Sequence, residues 1–190
     1  AASQLMQPVQ SGIPMLSLVA GRTGLSQAQV SKSFMSGGMS FLATKMNSSF
    51  GKDILPVNPM HKQALDWAQK KGVLDFSELE HVYAGTKGKA ERAIQRAGEF
   101  SMQFAEENTR PPMFLAFVDM LSKTGADKDT VFKTAENLTA QAMVDYHKWE
   151  RPLVYQGFGV LSPHVGGLTT FKHNYMGNQA LLAMEMKKNP

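Results

Sequence analysis

The sequence predicts an all-α protein of six or seven helices joined by Gly/Pro-rich connectors, with room for an extended arrangement rather than a compact bundle. Three observations lead there. Apolar residues recur at three- and four-residue steps in several stretches. Residues suited to capping helices precede those stretches. Glycines and prolines separate them.

Residues 1–25 read as irregular, because prolines, glycines and apolar residues alternate without a clean period; a short strand or helical turn near Pro14–Ala20 is the most order expected there. Ser26 is an N-cap candidate for a helix from Gln27 to about Asn47, with Val30, Phe34, Phe41, Leu42 and Met46 recurring. Gly37 and Gly38 interrupt it at a cost on the order of 1–2 kcal/mol relative to alanine, and mark a kink, a hinge or a close helix–helix contact. Residues 48–58 read as a loop. Asn58-Pro59 is an N-cap followed by proline at the first helical position, opening a helix to Lys71 with Ala64, Leu65 and Ala68 inward and Gly72 as its stop.

Asp75 and Glu78 form a capping-box-like pair for a short helix to about Tyr83, followed by a loop between Gly85 and Gly88. From Lys89 to Glu107, Ala90, Ala93, Ile94, Ala97, Phe100 and Phe104 form one apolar stripe. Arg110-Pro111-Pro112 breaks the chain, and Met113–Lys123 is apolar on most faces, as in a centrally buried helix. Gly125 ends it. Asp127 caps a helix over Thr130–Trp149, with Val131, Ala135, Leu138, Ala142 and Tyr146 on one side. Residues 151–166 form a connector, and a last helix over Gly167–Lys188 ends on Lys187 and Lys188, which suit its C-terminal dipole. The chain thus divides into an irregular N-terminal segment with one Gly-interrupted helix (1–58), a helical domain (59–150), and a connector with a C-terminal amphipathic helix (151–190). Its ends, Ala1 and Asn189-Pro190, read as those of a piece of a longer polypeptide.

With 43% hydrophobic residues a core is feasible, but 13 Met and 11 Phe against 2 Trp make it unusual. Methionine is flexible and polarizable, so such a chain suggests adaptable packing, a greasy interaction surface, or both. The absence of cysteine removes disulfides, thiolate metal sites and a cysteine nucleophile. The net charge of +4 is unevenly spread. Both ends are basic and charge-poor, whereas residues 61–150 carry 12 basic against 14 acidic groups. Basic ends can meet nucleic acid or an anionic membrane surface. The first 21 residues carry no charge, and so no signal-peptide n-region, and their prolines and Gly12 make a poor membrane span.

No catalytic constellation emerges, and no cofactor or metal is expected. His147 and Glu150 could begin a metal site, but zinc needs three protein ligands, and His61, His81, His164 and His173 stand singly. Gly157-Phe-Gly159 lacks the third glycine of a dinucleotide fingerprint, and Ser162-Pro163-His164 is no nucleophile elbow. Gly85-Thr86-Lys87-Gly88-Lys89 misses the P-loop spacing, although a helix N-terminus beside two lysines suits a phosphate. Lys87, Lys89, Arg92 and Arg96 are the candidate phosphate or DNA contacts.

The most distinctive segment is 142–178, AMVDYHKWERPLVYQGFGVLSPHVGGLTTFKHNYMGN. An Asp-Tyr pair (Asp145, Tyr146) precedes Arg151-Pro152, a small-residue linker follows, and Phe171-Lys172 opens a helix bearing Tyr175. This resembles a pattern near the end of very large phage virion proteins, namely the internal or ejection proteins of short-tailed phages and the large polyvalent proteins. It covers about 40 of the 190 residues, and Ser162-Pro163-His164 departs from the smoother connector of that pattern. The resemblance implies a protein carried in the virion interior or tail lumen, released before the genome, and helping to form a conduit for DNA in the host periplasm or envelope. It implies homo-oligomerisation and partners among portal, tail or other ejection proteins, with DNA and the host membrane within reach. Glycines at 37, 38, 157, 159, 166 and 167 would permit cheap rearrangement. Two alternatives stand beside it: a helical nucleic-acid-binding module flanking a virion RNA polymerase or other enzyme, and a membrane-surface protein using the 167–188 helix.

Overall fold

A π-helical stretch, Pro8–Gly12, leads directly into helix α1, Ile13–Thr23, in a computed structural model that describes residues 8–72, 89–143 and Met176. The described residues hold four further helices: α2 (Gln27–Phe50), α3 (Pro59–Lys71), α4 (Lys89–Ser122) and α5 (Lys128–Ala142). No strand occurs among them. The expected segments around Asp75, Tyr83, Gly85 and Gly88, and the connector from 151 onward, lie outside the described residues, as does the last helix apart from Met176.

Helix α1 contains the helical turn offered near Pro14–Ala20 and, over the described residues, corrects the reading of its surroundings as irregular. Pro14 sits in its first turn, where a missing N–H would have had no intrahelical partner. Gly24, at φ +73°, takes the left-handed C-cap and donates its N–H to the carbonyl of Ala20. Met15, Leu16, Leu18, Val19 and Ala20 are all buried. A helix buried nearly all round has no polar face, hence no period to read.

Helix α2 begins where Ser26 indicates. The Ser26 hydroxyl accepts from the Gln29 N–H while the Gln29 side chain takes the Ser26 N–H, closing a capping box. The helix runs unbroken through Gly37 and Gly38 and three residues past its expected end, to a C-cap at Gly51 (φ +63°). Asn47, in its last turn, organises the following loop. Its Oδ1 accepts from the N–H groups of Ile54 (2.9 Å) and Leu55 (2.8 Å), and its Nδ2 donates to the Leu55 carbonyl at 2.8 Å. Helix α3 follows the Asn58-Pro59 signal: the Asn58 side chain accepts from the Met60 N–H, Ala64, Leu65 and Ala68 are buried, and Gly72 caps the end.

The largest departure is α4. The sequence reading broke the chain at Arg110-Pro111-Pro112, whereas one helix of 34 residues passes through both prolines. Two interior prolines cost about 6 kcal/mol together. Directly after them, Met113, Phe114, Leu115, Phe117, Val118, Met120 and Leu121 are all buried. At about 1.5–3 kcal/mol per large apolar side chain, that burial exceeds the proline cost. In the turn before the prolines, side chains reach back to the backbone: Asn108 Nδ2 donates to the Phe104 carbonyl and Thr109 Oγ1 to that of Ala105. Nearly buried Glu106 pairs with Arg110 at 2.9 Å. Phe104, expected on the inward stripe, is half exposed.

Helix α5 starts at Asp127, whose carboxylate accepts from the N–H groups of Asp129 and Thr130 and is held below the usual aspartate range chiefly by its hydrogen bonds to Thr130. It ends at Ala142, short of the expected Trp149, with Met143 in extended conformation. Helices α2 and α4 lie antiparallel and make the most extensive contact, since Ser33 meets Lys123, Gly37 meets Pro112 and Ala116, and Lys45 meets Asn108. Helices α1, α3 and α5 close over the second half of α4. In that core, Trp67 of α3 stacks on Phe114 (6.4 Å) and tilts against Phe132 (5.7 Å).

Candidate functional site

The distribution of side chains around α2 is inverted relative to an ordinary amphipathic helix. Its buried face carries Val30, Ser33, Gly37, Ser40, Ala43 and Asn47, small or polar apart from Val30. Small residues let two helices approach closely. At Gly37 the approach is closest, because an added Cβ would lie 2.5 Å from the Ala116 nitrogen and 2.6 Å from the Pro112 carbonyl oxygen. The close contact offered for Gly37-Gly38 is therefore made by Gly37 alone; a Cβ at Gly38 would meet open space.

With the small residues inward, the large ones are left outside. Met35, Met39, Leu42, Met46 and Phe50 follow one another at steps of four, three, four and four residues and are all exposed. They form one stripe over about 22 Å of helix. The sequence groups Leu42 and Met46 with Val30, Phe34 and Phe41 as one apolar set. Phe34 and Phe41 do pack partly against the core, but Leu42 and Met46 do not. Beside the stripe is a recess of about 240 Å3 lined by Ser36, Met39, Leu42, Leu55 and Pro56 among others.

Behind the stripe, between α2, α3 and α4, lies a polar cluster that no sequence motif announced. His61 is fully buried, with Nδ1 2.7 Å from the Ser40 hydroxyl and Nε2 3.8 Å from Asp119 Oδ1. Lys123 donates to Asp119 Oδ2 at 2.6 Å and to Ser33 Oγ at 2.8 Å, and Ser36 donates to Asp119 Oδ1 at 3.4 Å. Burial holds the His61 imidazole below its ordinary pKa; Asp119 opposes this and Lys123 adds to it. With the imidazole neutral, a proton on Nε2 faces the carboxylate and lets Ser40 donate to Nδ1. The other tautomer would turn a lone pair toward Asp119.

Serine, histidine and aspartate in this order are the components of acyl transfer, but the geometry is not that of a working site. The 3.8 Å separation is too long for a hydrogen bond, and His61 Nε2 has no such partner. Ser40 lies inside α2, where backbone N–H groups are committed to the helical ladder and cannot form an oxyanion hole. The cluster joins three helices. Its contacts between helices join residues 21 to 90 positions apart, so spacing alone could not have revealed it.

Asp145, Tyr146, Arg151, Pro152, Phe171, Lys172 and Tyr175, which carry the resemblance, lie outside the described residues, as do Lys87, the His147/Glu150 pair and Ser162-Pro163-His164. Lys89, Arg92 and Arg96 fall within the first turns of α4. Among the described residues no three His, Asp or Glu side chains gather as a metal site, and no helix is long and apolar enough to cross a membrane. The chain matches no family model, no curated protein and no solved structure.

Proposed function

We propose that the chain is a structural component of a phage virion, of the internal or ejection type, which works by assembly and contact and helps to form a conduit for genome delivery. The observation that carries this reading is the α2 stripe. Five large apolar side chains stand in water on a helix that had small residues available for that face. Contiguous exposed apolar surface of this size marks an interaction site. The 142–178 pattern supports the choice of setting, with portal, tail or other ejection proteins as neighbours and DNA and the host envelope as the surroundings after release.

An antibody against the chain, applied to purified phage particles before and after receptor-triggered genome release, tests this. The expected result is a band in intact particles that is lost from emptied ones. Equal amounts in both would place the chain in the permanent shell or tail, and no signal in either would remove it from the virion.

A further inference from the structure

We infer that the exposed stripe of α2 pairs with the same stripe of a second copy of this chain, antiparallel, about a two-fold axis between Leu42 and Ala43. The inference rests on the assembly reading and names the partner. Its ground is that the stripe is close to a palindrome. In the register where residue numbers sum to 85, Met35 of one copy faces Phe50 of the other, Met39 faces Met46, and the two copies of Leu42 meet beside the axis. Large residues then meet large ones along four turns, as an isologous contact requires.

Charge agrees with this register. Of the two lysines in α2, Lys45 reaches away to Asn108 Oδ1 at 2.9 Å and lies over the Phe41 ring. Exposed Lys32 is set opposite Asp53, which is exposed just past the C-cap of the second copy, and symmetry repeats the pair at the other end. Close approach is also open, because Gly38 borders the stripe with nothing near its Cβ position. The recess beside Met39 lies near the second copy's Met46 and can accept a flexible thioether.

The area is sufficient. Met35, Met39, Leu42, Met46 and Phe50 are 38–63% exposed. At roughly 200 Å2 for a fully exposed side chain of this size, they offer about 550 Å2 per copy. Two copies would bury about 1,100 Å2, above the roughly 1,000 Å2 that a specific interface should clear.

The test uses the 190-residue chain in sedimentation equilibrium, with Met39→Glu as the variant. The native chain is expected to be dimeric at micromolar concentrations. Met39→Glu, which acts twice in a symmetric dimer, is expected to raise the half-dimer concentration at least about 100-fold with helical circular dichroism unchanged. The absence of cysteine makes the geometry testable. With a short bismaleimide, Leu42→Cys should cross-link to itself. Met35→Cys alone should not, because its two copies would lie about 22 Å apart, whereas a mixture of Met35→Cys and Phe50→Cys should give the mixed dimer. A folded monomer at concentrations on the order of 100 μM, a dimer indifferent to Met39→Glu, or self-linking Met35→Cys would each overturn the inference. So would phosphatidylglycerol vesicles that bind the stripe and dissolve the dimer. Each result leaves the virion proposal to its own test, because the antibody experiment does not depend on what α2 touches.

Discussion

Replacing Gly37 and Gly38 separately by alanine asks the structure a question with two opposite answers. Both glycines sit in the interior of α2, and helical propensity alone predicts that each substitution stabilises by about 0.5–1 kcal/mol. At Gly38 nothing within the chain opposes that gain, since the new methyl meets no atom of the same chain. At Gly37 the methyl would stand 2.5 Å from the Ala116 nitrogen and 2.6 Å from the Pro112 oxygen. Both are backbone atoms of one turn of α4 and cannot rotate aside. The helices must separate, and overpacking of this kind costs about 1–3 kcal/mol or more. Gly37→Ala should therefore be destabilised by about 1–2 kcal/mol net and Gly38→Ala slightly stabilised, a gap of about 2–3 kcal/mol. Urea unfolding followed by far-UV circular dichroism measures both, and for a chain of this size each kcal/mol moves Tm by about 2–4 °C. If Gly37→Ala proved as stable as Gly38→Ala, the close contact of α2 with α4 would be wrong, and with it the reason the large side chains face outward.

Three other outcomes follow from the same contacts. The folded-state pKa of His61 is depressed, so as pH falls below about 6.5 the unfolded chain takes up the proton first and stability declines toward the folded-state pKa. Chemical denaturation at several pH values should show this loss on the acid side, and His61→Gln should flatten it; an unchanged profile in the variant would count against a buried neutral imidazole. Asn47→Ala leaves three backbone groups of the 54–55 turn without their side-chain partner and should cost about 2–3 kcal/mol in urea titrations, whereas a loss below about 0.5 kcal/mol would show that the loop holds itself. Phe132→Ala opens a cavity beside Trp67 and should cost about 3–5 kcal/mol, with a shift in tryptophan emission as the core around Trp67 loosens.

Much of the fold was legible wherever a signal was local. Ser26, Asn58-Pro59 and Asp127 each open the helix they announced, Gly72 and Gly125 follow helix ends at φ +72° and +76°, and the segment from Met113 to Leu121 is buried as its composition implied. What was illegible depended on tertiary contact. Helix α1 has no polar face to set a period. The proline pair reads as a break until the burial that follows it is weighed against its cost. The orientation of α2 defeats hydrophobic periodicity altogether, because Ser33, Gly37 and Ser40 face inward to fit α4 while Met35, Met39 and Met46 face out. The His61 cluster joins residues from three helices and leaves no pattern along the chain.

The outward placement of those methionines has a chemical consequence as well as a mechanical one. Among the described residues, Met15, Met113, Met120 and Met143 are shielded, whereas Met35, Met39 and Met46 present their thioethers to solvent. A mild oxidant would reach these three, together with exposed Met176, first. Each would become a polar sulfoxide that methionine sulfoxide reductases can reverse. Oxidation would then convert a greasy strip into a hydrophilic one without touching the core, so that the adhesive character of α2 would depend on the redox state of the surrounding medium while the fold beneath it did not.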